Sequence, residues 1–301
     1  MNNNTTLSVI NAVDIVHSLE ENGIILDDNQ QCEIETKICE VLNYIPKIGV
    51  LGKTGVGKSS LCNALFGADV CPINDIEACT REPQEIKINL ADNNGITLID
   101  VPGAGESLDR DKEYSEMYAR LLPTLDVILW VIKSDDRALA ADEHFYINVI
   151  KPHIAQGKPF FFVLNQVDKT EPFRKWNYDE HKPCVEQNTT IARKIQSIAD
   201  FFHVSPASII PVSALEKYNL STLVYEMICA VPAEKKITVY RNINKEFHSE
   251  SLEQHIIDST TDFFAGFIGI VANIAINNIS RIIGIAIGNI FTKIKNIFGW
   301  L

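Results

Sequence analysis

The sequence predicts an α/β domain, a mostly parallel six-stranded sheet with helices on both faces, joined to a helical region drawn from the two ends of the chain. Two patterns predict the sheet. Short β-branched runs alternate with amphipathic helical stretches between residues 47 and 231, and a glycine-rich turn follows the first run. A third pattern, the near absence of charge late in the chain, predicts apolar helices there.

The first zone, residues 1–46, carries two helical periods. Val9, Ile10, Val13, Val16 and Leu19 form one apolar stripe; Gly23 and the Asp27, Asp28, Asn29 cluster interrupt it. Ile34, Ile38, Val41, Leu42 and Ile45 resume the period, and Pro46 ends it.

The second zone, residues 47–231, places strands at Lys47–Leu51, Glu85–Leu90, Ile96–Val101, Val127–Ile132, Phe160–Asn165 and Ile209–Val212. Helices are expected near Lys58–Phe66, Asp109–Leu122, Asp142–Ile154, Thr189–Phe202 and Ser221–Ala230. Pro232 marks the boundary with the third zone, residues 232–301. There a charged segment leads into Phe263–Ser280, 18 residues with no charge, and Arg281 is the sole charge before Lys293. Three readings fit this stretch. It packs on the N-terminal helices, with a stripe of small and polar residues that marks close helix contacts or a capped break near Asn277 and Asn278; it lies on a membrane surface through residues 263–301; or it spans one. The asparagines make it a poor span.

Composition narrows the function. With 46% hydrophobic and 22% charged residues the chain is a folded globular protein, and a formal net charge of -12 disfavours nucleic acid as its main partner. Seven scattered cysteines without a C-x-x-C pair suit a reducing cytoplasm rather than a disulfide framework or a zinc site. The first residues lack the basic and apolar regions of a signal peptide, so a cytoplasmic protein is expected.

The chemistry sits at strand ends. Gly52, Lys53, Thr54, Gly55, Val56, Gly57, Lys58 and Ser59 match G-x-x-x-x-G-K-[ST] between an apolar strand and a helix. Backbone N–H groups of such a loop and the following helix N-terminus cradle phosphates. Lys58 bridges β- and γ-phosphates in this reading, Ser59 offers its hydroxyl to Mg²⁺, and Ser60 completes the nucleotide contacts. Asp100, at the end of the third strand, can hold Mg²⁺, and Gly103 can point its N–H at a γ-phosphate. Asn165, Gln166, Val167 and Asp168 follow the fifth strand. An aspartate there accepts from the N1–H and exocyclic amine of guanine, a donor pair that adenine lacks. Ser213 and Ala214, after the sixth strand, are expected to supply hydroxyl and backbone contacts near the guanine O6.

In order, these pieces resemble the five G motifs of the TRAFAC GTPases, most of all the Era/TrmE-like branch. The run Asp126 to Arg137 is further similar to the prophage-associated YfjP/YeeP group of GTP-binding proteins. The resemblance implies GTP or GDP with Mg²⁺ as ligands, Thr80 as second Mg²⁺ ligand beside Ser59 and Asp100, and Lys58, Thr80 and Gly103 as the catalytic set. Two positions depart from the pattern. Gln166 replaces the usual lysine over the guanine face, and Gly55 stands where potassium-activated relatives carry asparagine, which puts their G-domain homodimer mechanism in doubt.

Ala104 occupies the position where Ras-like proteins carry the water-orienting glutamine. Hydrolysis is therefore expected to be slow unaided, with Glu106, Asp109 and Arg110 as neighbouring candidates better explained as a solvated loop. His144 and His153 lie nine residues apart, which is not metal-pair spacing, and His181 falls in a polar insertion. The expected function is a nucleotide-dependent switch. The alternatives are a GTP-gated protein peripheral at the inner face of the membrane and an Era-like ribosome-assembly factor. The second is weakened by the acidic charge, though a ribosomal partner stays open.

Overall fold

A computed structural model describes residues 3–67, 84–90, 94–100, 116–136, 139–154 and 157–298. Thr80, Gly103, Ala104, Glu106, Asp109 and Arg110 lie outside the described residues. The chain divides into two compact units, one of Met1–Pro46, Asn89–Ile96 and Val231–Leu301, the other of Lys47–Ile88 and Thr97–Ala230.

The sheet has the strands β1 (Lys47–Leu51), β2 (Gln84–Leu90), β3 (Asn94–Asp100), β4 (Val127–Lys133), β5 (Phe160–Asn165) and β6 (Ile209–Pro211). Their spatial order is β2-β3-β1-β4-β5-β6. Four neighbouring pairs, β1 with β3, β1 with β4, β4 with β5 and β5 with β6, are parallel. Only three residues join β2 to β3, far fewer than a parallel crossover needs, so that pair is antiparallel. β4 is buried along almost its whole length, as expected of a near-continuous apolar run in the middle of a parallel sheet. Helices α3 (Lys58–Phe66), α4 (116–121), α5 (Ala140–Phe145), α6 (Lys151–Ile154), α7 (Val185–Phe202) and α8 (Leu220–Ala230) alternate with the strands, so the α/β class is the expected one.

Two helices differ from the sequence expectation. The helix expected over Asp142–Ile154 begins at Ala140 and contains a five-residue π turn, Tyr146–Ile150, between α5 and α6. That turn sets Phe145, Tyr146, Val149 and Ile150 into the core, where Tyr146 meets Trp130, Phe160, Phe162 and Phe202. α7 begins four residues earlier than expected because Cys184 caps it. The Gln187 N–H donates to Cys184 Sγ (3.4 Å), and the Cys184 N–H donates to Gln187 Oε1 (3.1 Å).

The helical unit contains α1 (Asn3–Glu21), α2 (Asp28–Leu42), α9 (Ala233–Tyr240), α10 (Glu250–Ala272) and α11 (Ile276–Phe298). Asp27 and Gln30 form a capping box at the start of α2. At its other end the buried Arg241 donates to the carbonyls of Leu42 (2.7 Å) and Tyr44 (3.4 Å). A guanidinium there satisfies carbonyls that the helix leaves unpaired and complements the negative end of its dipole. Ion pairs from α11 reach two other helices, Lys293 to Asp14 on α1 and Lys295 to Glu253 on α10 (2.8 Å).

The expected break near Asn277 and Asn278 lies instead at Asn273–Ala275. Asn273 takes the left-handed conformation (φ 55) that ends α10, and the Ile274 N–H donates to the Gly269 carbonyl (2.9 Å). Asn277 falls inside the first turn of α11. Gly269 suits this turn because a Cβ there would stand 3.0 Å from the Ile274 carbonyl oxygen. The apolar stretch is thus divided between two helices of 23 residues each, and no helix among the described residues is long and apolar enough to cross a membrane.

Candidate functional site

The C-terminal ends of β1 and β5, with the loop after β6, bring the expected site residues together. β1 runs into Gly52, whose φ of 138 and nearness to β4 exclude a side chain. A Cβ there would lie 2.3 Å from the Val131 carbonyl oxygen. Gly57, at φ 89, precedes α3, and a Cβ on it would meet Asn165 Nδ2 at 2.6 Å. The first N–H groups of α3 have no partner within the helix, as at any helix start. Lys58 Nζ donates to the carbonyls of Gly52 (2.9 Å) and Lys53 (3.2 Å), folded back along the loop. Ser59 and Ser60 follow Lys58 in the first turn of α3 and are half-buried. Asp100 closes β3 opposite Val50 of β1, so its backbone stands two residues short of the loop.

Asn165 is buried and its amide is fully engaged. Nδ2 donates to the Val56 carbonyl (3.0 Å), with a longer contact to Gly57 (3.5 Å), and Oδ1 accepts from the Ala214 N–H (3.1 Å). Its side chain braces the phosphate loop against the loop after β6. The Ser213 and Ala214 groups expected near the base are also engaged, since Ser213 Oγ accepts from the Glu216 N–H (3.1 Å) and its backbone pairs with Tyr218. Gln166, at φ 61, lays its amide on the Gly55 carbonyl (3.3 Å) and accepts from Lys169 Nζ (2.9 Å).

Asp168 lies in a short turn, Val167–Lys169, and is buried, yet its Oδ1 has no hydrogen-bond partner among the described residues. A buried carboxylate oxygen without a donor is costly.

A family profile described as 50S ribosome-binding GTPase matches residues 47–166. YkfA of Escherichia coli strain K12 is 42% identical over 214 residues, 71% of this chain and 71% of YkfA. The chain belongs to the P-loop GTPases, in the family of YkfA. YfjP of the same strain is 41% identical over the same shares. The GTPase is also similar to a solved structure of Aquifex aeolicus Era bound to GDP and aluminium fluoride, at 28% identity over 62% of this chain and 57% of that one, with a TM-score of 0.45.

Three features of the GTPase site escaped the sequence. Leu215, directly after Ala214, is 75% exposed, an apolar side chain left in solvent on the loop after β6. Only its position after Ser213-Ala214 could have flagged it. Ser134, buried at the end of β4, donates to the Gln166 carbonyl (2.7 Å) and so holds the turn that carries Asp168. Nothing in its spacing announced that. Finally, Lys53 Nζ lies 2.6 Å from Asp142 Oδ2 and 3.4 Å from Asp136 Oδ2. Burial works against the Lys53 charge, but the two carboxylates outweigh it and its pKa stands above the ordinary lysine value. Burial pushes the Asp142 carboxyl up, with Lys53 opposing that rise.

Proposed function

We propose that this GTPase is a nucleotide-dependent switch that selects guanine through Asp168 and hydrolyses GTP slowly without a partner. The observation that carries the reading is the buried, unpartnered Asp168 Oδ1 in the turn directly after β5, beside the Asn165 that braces the phosphate loop. In the bound state both Asp168 oxygens accept from the base, Leu215 covers one of its faces, and Asn165 keeps the two flanking loops in register. Lys58 exchanges the carbonyls of Gly52 and Lys53 for phosphate oxygens. Residues Gly52 to Ser60 surround the phosphates, with the N–H of Gly103 toward the last of them.

Mg²⁺ fits a hydroxyl and carboxylate set of this kind; Ser59, Thr80 and Asp100 would hold it, and it would neutralise charge on the β- and γ-oxygens. Slow turnover follows from Ala104, which has no polar group to orient water. GTP orders the segments around Thr80 and Gly103, and hydrolysis releases them.

Competition binding with GTP, ATP and XTP tests the base assignment. The wild type should prefer GTP, and Asp168→Asn should move the preference to XTP by about 100-fold, as expected when a buried hydrogen-bonding pair is mismatched. Equal competition by ATP would overturn guanine selection, and single-turnover phosphate release at a rate typical of partner-assisted GTPases would overturn slow hydrolysis.

A second reading adds a membrane surface. The α10–α11 turn lies within the uncharged run Phe263–Ser280 and presents Ile270 (82% exposed) and Ile276 (50%) to solvent. The first exposed charges beyond it are Asp262 and Arg281. From the turn to Arg281 the helix rises roughly 10 Å, about the depth of an interfacial insertion. The protein would then sit in the cytoplasm, peripheral at the inner face of a membrane. Flotation with phospholipid vesicles in GTP but not GDP supports this reading, and co-sedimentation with ribosomal particles instead would replace it.

A further inference from the structure

We infer that the Lys53 side chain is a positioning element of the phosphate loop, clamped by Asp142 and Asp136, and is not a nucleotide ligand. The inference rests on the loop binding nucleotide phosphates. Lys53 is the first side chain of that loop, and its sequence position alone suggested a phosphate contact.

The geometry argues otherwise. The Asp142 side chain is 5% exposed and its carboxylate lies 2.6 Å from Lys53 Nζ. If Lys53 swung to a phosphate, a nearly buried carboxylate would lose its cation, and an uncompensated buried charge is among the costlier defects a fold can carry. Asp136 adds a second, longer contact at 3.4 Å from a side chain 19% exposed. Both acids belong to the segment that follows β4, the strand whose Val131 carbonyl already presses on Gly52.

The clamp acts on the residue pair that parks the catalytic lysine. Lys58 Nζ rests on the carbonyls of Gly52 and Lys53. Gly52 is fixed by its backbone conformation against β4, and Lys53 by its ion pairs with the following segment. When Lys58 leaves for the phosphates, these anchors keep the first turn of the loop in place. A loop that holds its shape without ligand loses less entropy on binding, and so binds more tightly.

The test compares Lys53→Met, Asp142→Asn and the double variant in the full-length chain, by equilibrium titration with GTP and with GDP in the presence of Mg²⁺. The positioning role predicts that each single variant weakens GTP and GDP alike, by about tenfold, and that the double is no worse than the weaker single, because both remove one interaction. Lys53→Arg restores binding, and Asp136→Asn weakens it less than Asp142→Asn does. If Lys53 instead touches the phosphates, Lys53→Met weakens GTP more than GDP, while Asp142→Asn leaves binding unchanged or tighter; that pattern overturns the inference. Should Lys53→Met fail to fold, Lys53→Arg and Asp136→Asn carry the same comparison. Failure of the wild type to bind either nucleotide would instead refute the site itself.

Discussion

In the sheet unit the buried Asn165 divides its amide among Val56, Gly57 and Ala214, while in the helical unit the buried Arg241 gives its guanidinium to the carbonyls of Leu42 and Tyr44. Each side chain joins segments far apart in sequence by bonding to backbone, yet the two serve different ends. Asn165 braces two loops and leaves Asp168 beside them with an open acceptor. Arg241 finishes a helix. Unpartnered buried atoms also occur in the helical unit, at Arg241 Nε, Asn242 Oδ1 and the hydroxyls of Thr260 and Thr261. The orphan atom alone therefore does not mark a binding site. What distinguishes Asp168 is its place, three residues beyond the brace and just past the C-terminal end of the parallel strand β5, the side on which open α/β sheets hold their ligands.

This contrast can be broken by substitution. The largest effect is expected from Asn165→Ala, which leaves the Val56 carbonyl and the Ala214 N–H without their partner. It should cost about 3 kcal/mol of stability and abolish measurable GTP binding, read by thermal melting and nucleotide titration. Arg241→Met should cost a similar amount, about 2–3 kcal/mol, because the last carbonyl of α2 and the Tyr44 carbonyl just beyond it lose a charged donor. Its GTP affinity should nevertheless stay at the wild-type value. Loss of nucleotide affinity in that variant would erase the distinction between the two residues.

Two glycines sharpen the same comparison at smaller scale. Gly57 and Gly23 share a positive φ, 89 and 82, but a Cβ on Gly57 strikes Asn165 Nδ2 at 2.6 Å whereas one on Gly23 meets nothing within 4 Å. Gly57→Ala should destabilise by about 2–3 kcal/mol and impair nucleotide binding, and Gly23→Ala by about 1 kcal/mol without touching it.

The smallest effect is a pH dependence confined to the helical unit. His248 stacks on Tyr240 with ring centroids 4.1 Å apart, and burial pushes its pKa below the ordinary value. The unfolded chain then takes up a proton near pH 6.5 that the folded chain resists, so this contribution is complete above that pH and is lost below it. Acidifying from pH 7 to pH 5 should lower the melting temperature by roughly 1–3 °C more in the wild type than in His248→Gln.

Much of the sheet unit was legible because its physics is local. A buried central strand needs a continuous apolar run, which Val127–Ile132 supplies, and a phosphate loop needs glycines at fixed spacing. Asn165 was legible as important but not as a brace, since its partners lie 109 and 49 residues away. The start of α7 was missed because a cysteine, rather than serine or threonine, makes the cap with Gln187. The π turn left no trace in the pattern, for it changes the helical period by one residue only where Tyr146 and Ile150 enter the aromatic core. In the helical unit the two asparagines at 277 and 278 drew the break away from Asn273, where the left-handed residue and Gly269 actually turn the chain. The ion pairs of Lys53 left no mark in the sequence for a related reason. Its pairing acids stand 83 and 89 positions downstream, and no spacing rule connects them to the loop.

The bonds from Arg241 to Leu42 and Tyr44 also set an order of events during synthesis. The donor is made 199 and 197 residues after its acceptors, and α9, α10 and α11 come later than every strand of the sheet. Chains emerge from the ribosome N-terminus first and fold in units as they appear. The sheet can therefore close, and its loops can take their first nucleotide, while α1 and α2 still wait for the helices that will cover them. A nascent chain would carry its cargo before its two ends have met.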